Sequence, residues 1–442
     1  MTTPPGMPRQ APSAGPPPRE SGPGDARLPE DCLTEAHLPD VRPPDVRLPE
    51  DRLPEAHLPE VRLSKDRLSE VRSPEVRPPE VRPPEGLPPT TFPPTTPAHK
   101  VPMTETPRTH LADAFLTRAG LTGAVRAPLA GDASNRRYER VRAAGETLVL
   151  MDAPAERGED VRPFVAIARH LSSLGLSAPR ILAEDAAQGF LLLEDLGDDL
   201  YASLLREDAG EERLLYAAAV DALVELHRHP APDGVGRYAP PLLGDLAALA
   251  VDWYLPGTGA EPVDRAPLAE AVNEAALRHA GGPEVLVLRD YHAENLLWLP
   301  EREGAARVGL LDFQDARRGH AAYDLVSLLE DARRDTTETL RQEMIARYIA
   351  ETGAEDAAFR AAYATLGAQR NLRILGVFAR LCLRDGKPRY LAFVPRVWDH
   401  LMRDLSHPAL ADLSRLVRET LPEPTPERLE RIKAQCGTRA CP

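Results

Sequence analysis

Residues 288–314, LRDYHAENLLWLPEREGAARVGLLDFQ, decide the reading of this chain. Asp290 is followed five positions on by Asn295, and Asp312 comes seventeen after that. Two short apolar runs, 296–299 and 308–311, lie between Asn295 and Asp312, joined by a polar connector containing Pro300 and Gly304. Apolar runs of that length around a turn-forming connector predict a β-hairpin. Asn295 then sits just before the first strand and Asp312 just after the second. Antiparallel pairing brings both to one open end, beside Asp290 on the preceding loop. A carboxylate able to accept a proton, next to an Asn–Asp pair suited to a hard divalent cation, is the set that phosphoryl transfer from Mg2+·ATP requires. Asp290 is the expected proton acceptor; Asn295 and Asp312 are the expected metal ligands.

The two ends of the chain differ in kind. More than half of its 47 prolines fall before Met103, a stretch with a single aromatic residue, Phe92. From position 25 to 85 an acidic residue stands at every fifth place, broken only by Lys65, in units close to L-P-E-V-R. A period of five matches neither helix nor strand, so no apolar face forms and the segment reads as a solvated, disordered polyampholyte. The sequence from Met103, MTETPRTHLADAFL, looks like an ordinary protein start, and the working enzyme is expected to begin near it. The tail is close to charge-balanced, so most of the net charge of −14 belongs to the body. That argues against nucleic acid as a partner. No run reaches the ~18 apolar residues of a membrane span. The N-terminus lacks a charged start followed by an apolar stretch, so secretion is not expected and a cytoplasmic location is. The four cysteines, Cys32, Cys382, Cys436 and Cys441, show neither a disulfide framework nor a zinc pattern.

Along the body, a helix is expected at 109–120, then strands at 125–129, 137–142 and 147–151. A helix at 163–174 stops at Gly175, and strands follow at 180–182 and 190–193. After Glu194-Asp195-Leu196-Gly197 the pattern turns helical, at 201–206, 211–229, 242–254 and 267–280, and again from Tyr323 to the end. Five strands carrying one helix, then a mostly helical half, give an α+β, bilobal chain. The expected division is a disordered tail at 1–105, a nucleotide lobe at 106–196, a catalytic and substrate lobe at 197–422 and a flexible end at 423–442. The loop 131–138, GDASNRRY, is the candidate phosphate cradle, offering Ser134, Asn135 and a guanidinium.

The set Asp290, Asn295 and Asp312 resembles that of the aminoglycoside phosphotransferase and choline kinase superfamily, the kinase-like small-molecule phosphotransferases. That likeness implies a protein-kinase-like fold with a small antiparallel-sheet lobe. It makes Asp290 the catalytic aspartate, with ATP and Mg2+ as cofactors. Leu288 stands where the superfamily's catalytic loop usually has histidine, which is expected to alter how the loop is braced rather than the chemistry. D-A-S-x-R-R-Y, L-M-D-A-P, R-D-Y, D-F-Q-D-A, L-G-x-Q-R and R-D-G-K-P-R-Y-L together look like the anomeric sugar kinases within it. The resemblance spans about 111–400. It implies phosphorylation of the C1 hydroxyl of N-acetylmuramate or N-acetylglucosamine in peptidoglycan recycling. Aminoglycoside or choline-type acceptors are the alternatives, and a nucleotide-binding pseudokinase is the alternative of another class.

A kinase-like site calls for a lysine on its third strand. Here that strand reads Leu148-Val149-Leu150-Met151-Asp152, and no lysine lies between Lys100 and Lys387. Adjacent strand residues point oppositely, so one of Arg136 and Arg137 is expected to face the nucleotide, and Arg136 is nearer the loop tip. Adenine is expected against the backbone from Leu193 to Asp195, which includes Glu194. Asp324 reads as an N-cap of the following helix or, by the resemblance, a brace of the catalytic loop. Asp315 is a candidate sugar contact. Gln369, Arg370 and Arg373 read first as a solvated helix face, although an acidic sugar would suit the Arg370 guanidinium.

Overall fold

The computed structural model describes residues 107–129, 135–143 and 145–439. The repeat tail at 1–105 and Ser134 of the expected phosphate loop lie outside them. From Ala112 onward the described chain forms one unit; the opening residues of helix α1 (Pro107–Arg118) belong to another.

The first layer is an antiparallel sheet of β1 (Val125–Pro128), β2 (Arg137–Ala143), β3 (Glu146–Asp152), β4 (Ile181–Asp185) and β5 (Phe190–Glu194), in the order β1-β2-β3-β5-β4. Period-two alternation sorts its side chains. Val141, Leu150, Phe190 and Leu192 pack with Phe115 and Leu116 of α1 on one face. Met151, Leu191 and Leu193 face the other way, toward α2 (Arg162–Ser173). Helix α2 carries Pro163 in its first turn, where the missing N–H is no loss, and buries Phe164, Ile167, Ala168 and Leu171. The expected strands and helix all form within a few residues of their expected bounds.

Beyond Glu194 come α3 (Tyr201–Glu207) and α4 (Glu212–His227), the short β6 (Arg237–Tyr238), then α5 (Leu242–Ala247). The single helix expected at 242–254 is broken. A π-helical turn at Ala250–Tyr254 and the short α6 (Leu255–Gly257) follow α5. After α7 (Ala266–His279) and β7 (Val285–Val287) comes the expected hairpin, β8 (Leu296–Trp298) with β9 (Val308–Leu310), in the register Leu296↔Leu310. A Cβ on Gly309 would lie 2.9 Å from that of Leu297, so the close strand approach requires glycine there. Strand β10 (Arg317–Gly319) completes a sheet β6-β10-β7 that the sequence reading missed.

Helices α8 (Ala322–Leu329), α9 (Glu338–Thr352), α10 (Asp356–Leu383), α11 (Val394–Asp404) and α12 (Ala411–Thr420) build the rest. The long α10 runs buried through the centre of this half. Gly376 is its point of closest approach, where a Cβ would meet the Leu249 carbonyl carbon at 2.3 Å. The flexible end expected at 423–442 is corrected as far as residue 439. Helix α13 (Pro426–Ala434) buries Ile432, Arg431 donates to Thr258 O at 3.0 Å, and Gln435 donates to Gly257 O at 3.0 Å. Among the described residues no helix is long and apolar enough to cross a membrane.

Candidate active site

The buried strand β7 delivers the chain to Leu288 and Arg289, and Arg289 turns it with φ 73°. Among the described residues only Arg289 and Asp312 (φ 58°) are non-glycine positions with positive φ. Both flank the same site, as strained residues held by a rigid surround commonly do. The surround here is α8. Asp324 accepts from Leu288 N at 2.6 Å and from Arg289 N at 2.8 Å, and the Ser327 hydroxyl donates to Arg289 O at 3.1 Å. The N-cap reading of Asp324 is therefore wrong, since Ala321 occupies that position; its side chain braces the loop. Burial pushes the Asp324 carboxyl up to about 7 even with two backbone donors upon it.

The hairpin places the two expected metal ligands together. Beyond β9 the ladder continues for one more bond, Leu311 N to Asn295 O at 3.0 Å, so Asn295 and Asp312 leave the same end side by side. Asn295 Nδ2 donates to Asp290 O at 3.0 Å and lies 3.5 Å from Asp312 Oδ2. Gln314 Nε2 steadies the other Asp312 oxygen at 2.6 Å. Phe313 stacks on Phe164 of α2 with ring centroids 4.8 Å apart, tying this segment to the sheet layer. Asp290, Asn295 and Asp312 thus share one corner. Its amide nitrogen faces Asp290 O and Asp312, so Asn295 could offer a cation its amide oxygen, and Asp312 a carboxylate oxygen. Two hard oxygen donors suit Mg2+, which keeps waters and takes phosphate oxygens for its other positions.

Asp290 lines a pocket that is open to solvent. Arg289, Asp315, Arg333, Arg370 and Arg373 line it, with an apolar wall that includes Ile374 and Phe378. Burial raises the Asp290 pKa, but Arg289, Arg373 and Arg370 outweigh it and hold the carboxyl below its ordinary value. Arg289 itself spans from Asp315 O, 3.2 Å away, to the face of Tyr238, 5.3 Å from the ring centre. The solvated-face expectation for Gln369, Arg370 and Arg373 fails, because all three are buried.

His292, two residues after Asp290 and without an expected role, is buried. Burial and then the Arg333 guanidinium push its imidazole down to about 4. Arg333 is anchored by Glu294 at 2.9 Å and Asp331 at 3.2 Å. Nothing in the spacing of Arg333 or Asp331 pointed to this place; Arg289 at least adjoins Asp290.

On the sheet side, Arg136 is buried and Arg137 exposed. Arg136 pairs with Glu159, just before α2, at 2.8 Å, and both side chains are only 8% exposed. Burial pulls the Arg136 pKa down, but Tyr138, Glu159 and Asp312 together leave it raised, so its guanidinium lies within the field of Asp312. Glu159 also accepts from Asn135 N at 3.2 Å, and Asn135 Nδ2 donates to Arg157 O. Glu159 escaped the sequence reading because an acid before a helix is ordinarily read as favourable to the helix dipole. The carboxylates of Glu194 and Asp195 are engaged elsewhere. Glu194 binds Arg302 at 2.8 Å and Arg180 at 3.1 Å, and Asp195 binds Arg140 at 2.7 Å.

Residues 125–363 match the model of the Phosphotransferase enzyme family. The chain belongs to that family. It is an ATP-dependent phosphotransferase of α+β fold. The N-acetylmuramate/N-acetylglucosamine kinase of Caulobacter vibrioides is 44% identical over 340 residues, covering 68% of this chain and 93% of that one. A protein of the same name from Pseudomonas aeruginosa is 37% identical over 303 residues, covering 66% and 87%. A solved choline/ethanolamine kinase family protein from Mesorhizobium loti is 18% identical, with a TM-score of 0.48, covering 74% of this chain and 99% of that one.

Proposed function

We propose that this phosphotransferase moves the γ-phosphoryl group of ATP to the anomeric C1 hydroxyl of an amino sugar such as N-acetylmuramate or N-acetylglucosamine, in cytoplasmic peptidoglycan recycling. The observation that carries the reading is the arginine-lined cavity opening on Asp290. Amino-alcohol and aminoglycoside acceptors are cationic, and four guanidiniums make that cavity hostile to them. The relatives named for N-acetylmuramate and N-acetylglucosamine support the sugar class.

In this reading Asp290 is the catalytic residue. It stays ionised at neutral pH, orients the acceptor hydroxyl and takes its proton late, when bond formation has made that proton acidic. Asn295 and Asp312 would hold Mg2+, which when bound offsets charge on the phosphate oxygens. Arg136, steadied by Glu159, supplies the fixed positive charge that a third-strand lysine gives elsewhere, with Ser134 and Asn135 on the same loop. The backbone at Glu194 and Asp195 receives adenine, while their side chains fix the connector. Asp315 and Arg370 contact the sugar.

An ADP-release assay with N-acetylmuramate, N-acetylglucosamine, choline and kanamycin tests the class. Phosphorus coupling to the anomeric proton of the product tests the position. Turnover of kanamycin or choline without turnover of either sugar would refute the reading.

A further inference from the structure

We infer that Arg370 and Arg373 form a carboxylate subsite that makes the acceptor's anionic arm, rather than its sugar ring, the main source of selectivity, with Arg373 as the specificity-determining residue. The inference rests on the amino-sugar reading above and adds to it a preference for sugars bearing a carboxylate.

The cavity-lining residues of α10 are Arg370, Arg373, Ile374, Val377 and Phe378, steps of three and four that place them on one face. That face changes character along its length, from two guanidiniums to an apolar wall. An acceptor matched to it carries an anion next to a small apolar group. The lactyl ether of N-acetylmuramate, with a methyl beside its carboxylate, has that composition. A hexose with only hydroxyl and acetamido groups offers no anion.

Charge supports the same occupant. Two arginines one turn apart repel each other, and here they are only 4% and 7% exposed, so little water screens them. Of the other lining charges, Arg333 is committed to Asp331 and Glu294, and Arg289 donates to Asp315 O and covers the Tyr238 ring. Arg370 is loosely held. Its Nη1 is 3.5 Å from the Tyr323 hydroxyl, its guanidinium lies over that ring at 5.6 Å, and its buried Nε has no hydrogen-bond partner among the described residues. With Arg333 set aside against its own two carboxylates, Arg289, Arg370 and Arg373 face the two carboxylates of Asp290 and Asp315. One further carboxylate would relieve the excess and satisfy a buried donor.

Both arginines also act on Asp290, so losing either disturbs catalysis with every acceptor. The diagnostic quantity is therefore a ratio. With ATP saturating, kcat/KM is measured for N-acetylmuramate, for its carboxyl methyl ester and for N-acetylglucosamine, using the full chain and Arg373→Gln. The unmodified protein should favour the acid over its ester by about 10- to 150-fold, the worth of hydrogen bonds to a charged group. In Arg373→Gln the ratio of N-acetylmuramate to N-acetylglucosamine should fall by about tenfold or more. Equal turnover of acid and ester by the unmodified protein would overturn the subsite while leaving the sugar-kinase reading intact, and that comparison needs no variant. Equal losses on both sugars in a folded Arg373→Gln would do the same, since a guanidinium serving only Asp290 or the transferred phosphate does not distinguish acceptors. Turnover of none of the three by the unmodified protein would remove both readings together.

Discussion

Replacing Arg136 by alanine probes the most unusual feature of the proposed site, a nucleotide cation that is not a lysine. Hydrogen bonds between charged groups contribute about 1.5–3 kcal/mol, so loss of this contact should raise the KM for ATP roughly 10- to 150-fold. The KM for sugar should change far less. The structure adds a complication that sets the design. The Glu159 side chain is 8% exposed, and its guanidinium partner would be gone, leaving it Asn135 N at 3.2 Å among the described residues. Stranding a buried carboxylate costs about 3–5 kcal/mol, so Arg136→Ala should also lower the urea midpoint. Arg136→Ala with Glu159→Gln removes the stranded charge. The pair should recover much of the stability and none of the ATP affinity. Initial rates against ATP at saturating sugar, with urea melts on the same preparations, separate the two effects. An unchanged ATP dependence in a folded Arg136→Ala protein refutes the assignment, and recovery of ATP affinity in the double variant would show that Arg136 acts only on stability.

Three other substitutions read out separate parts of the molecule. Asp290→Asn should lower kcat by roughly 10²- to 10⁴-fold while equilibrium binding of ATP persists, because the loss falls on proton acceptance and acceptor orientation; retention of most activity would move the base elsewhere. Gly376→Ala puts a methyl 2.3 Å from the Leu249 carbonyl carbon and should cost about 1–3 kcal/mol in urea unfolding, by forcing α10 off its neighbour; an unshifted midpoint would show that contact to be slack. Burial holds His227 down at about 3 and His320 at about 4, so below about pH 6.5 the unfolded chain binds protons that the folded one does not. Stability should therefore fall as pH drops from about 6.5 toward 4, by about 1.4 kcal/mol per unit for each histidine. His227→Gln should remove about half of that two-histidine contribution, and an unaltered slope would place its protonation inside the fold.

What was legible in the sequence is what short-range pattern encodes. The antiparallel layer could be read because alternating apolar residues meet turn formers such as Gly145, which takes φ 85°, and because β2 and β3 are neighbours in the chain. The corner of Asp290, Asn295 and Asp312 could be read because one hairpin carries two members and the preceding loop the third. Strands β6, β7 and β10 could not. They are two or three residues long, too short for a period, and Tyr238 pairs with Gly319 across 81 positions. The break after α5 was hidden for a related reason. Residues 242–254 carry a good helical pattern, and what competes with it is the backbone approach of Gly376, far away in sequence. Arg373 failed differently. A cation at helical spacing is read as facing water, and only the packing of α10 around a cavity reverses that sign.

The absence of lysine and the depth of the site belong to one physical choice. A lysine as buried as Arg136, Arg370 or Arg373 would have its pKa driven down by desolvation and could lose its charge near neutral pH. A guanidinium does not deprotonate in that range, so arginine permits fixed positive charge where an ammonium would be lost. In the proposed site this matters on both sides of the reacting groups. Arg136 is buried against Glu159 within the field of Asp312, and Arg370 and Arg373 are buried against the field of Asp290. Together with Arg289, those last two hold a half-buried carboxylate in its basic form against the upward pull of burial. The same guanidiniums that keep Asp290 ionised therefore line the acceptor's place. Proton acceptance and acceptor choice are then coupled through one helix face, and an Arg→Lys exchange on α10 is not a conservative change for either.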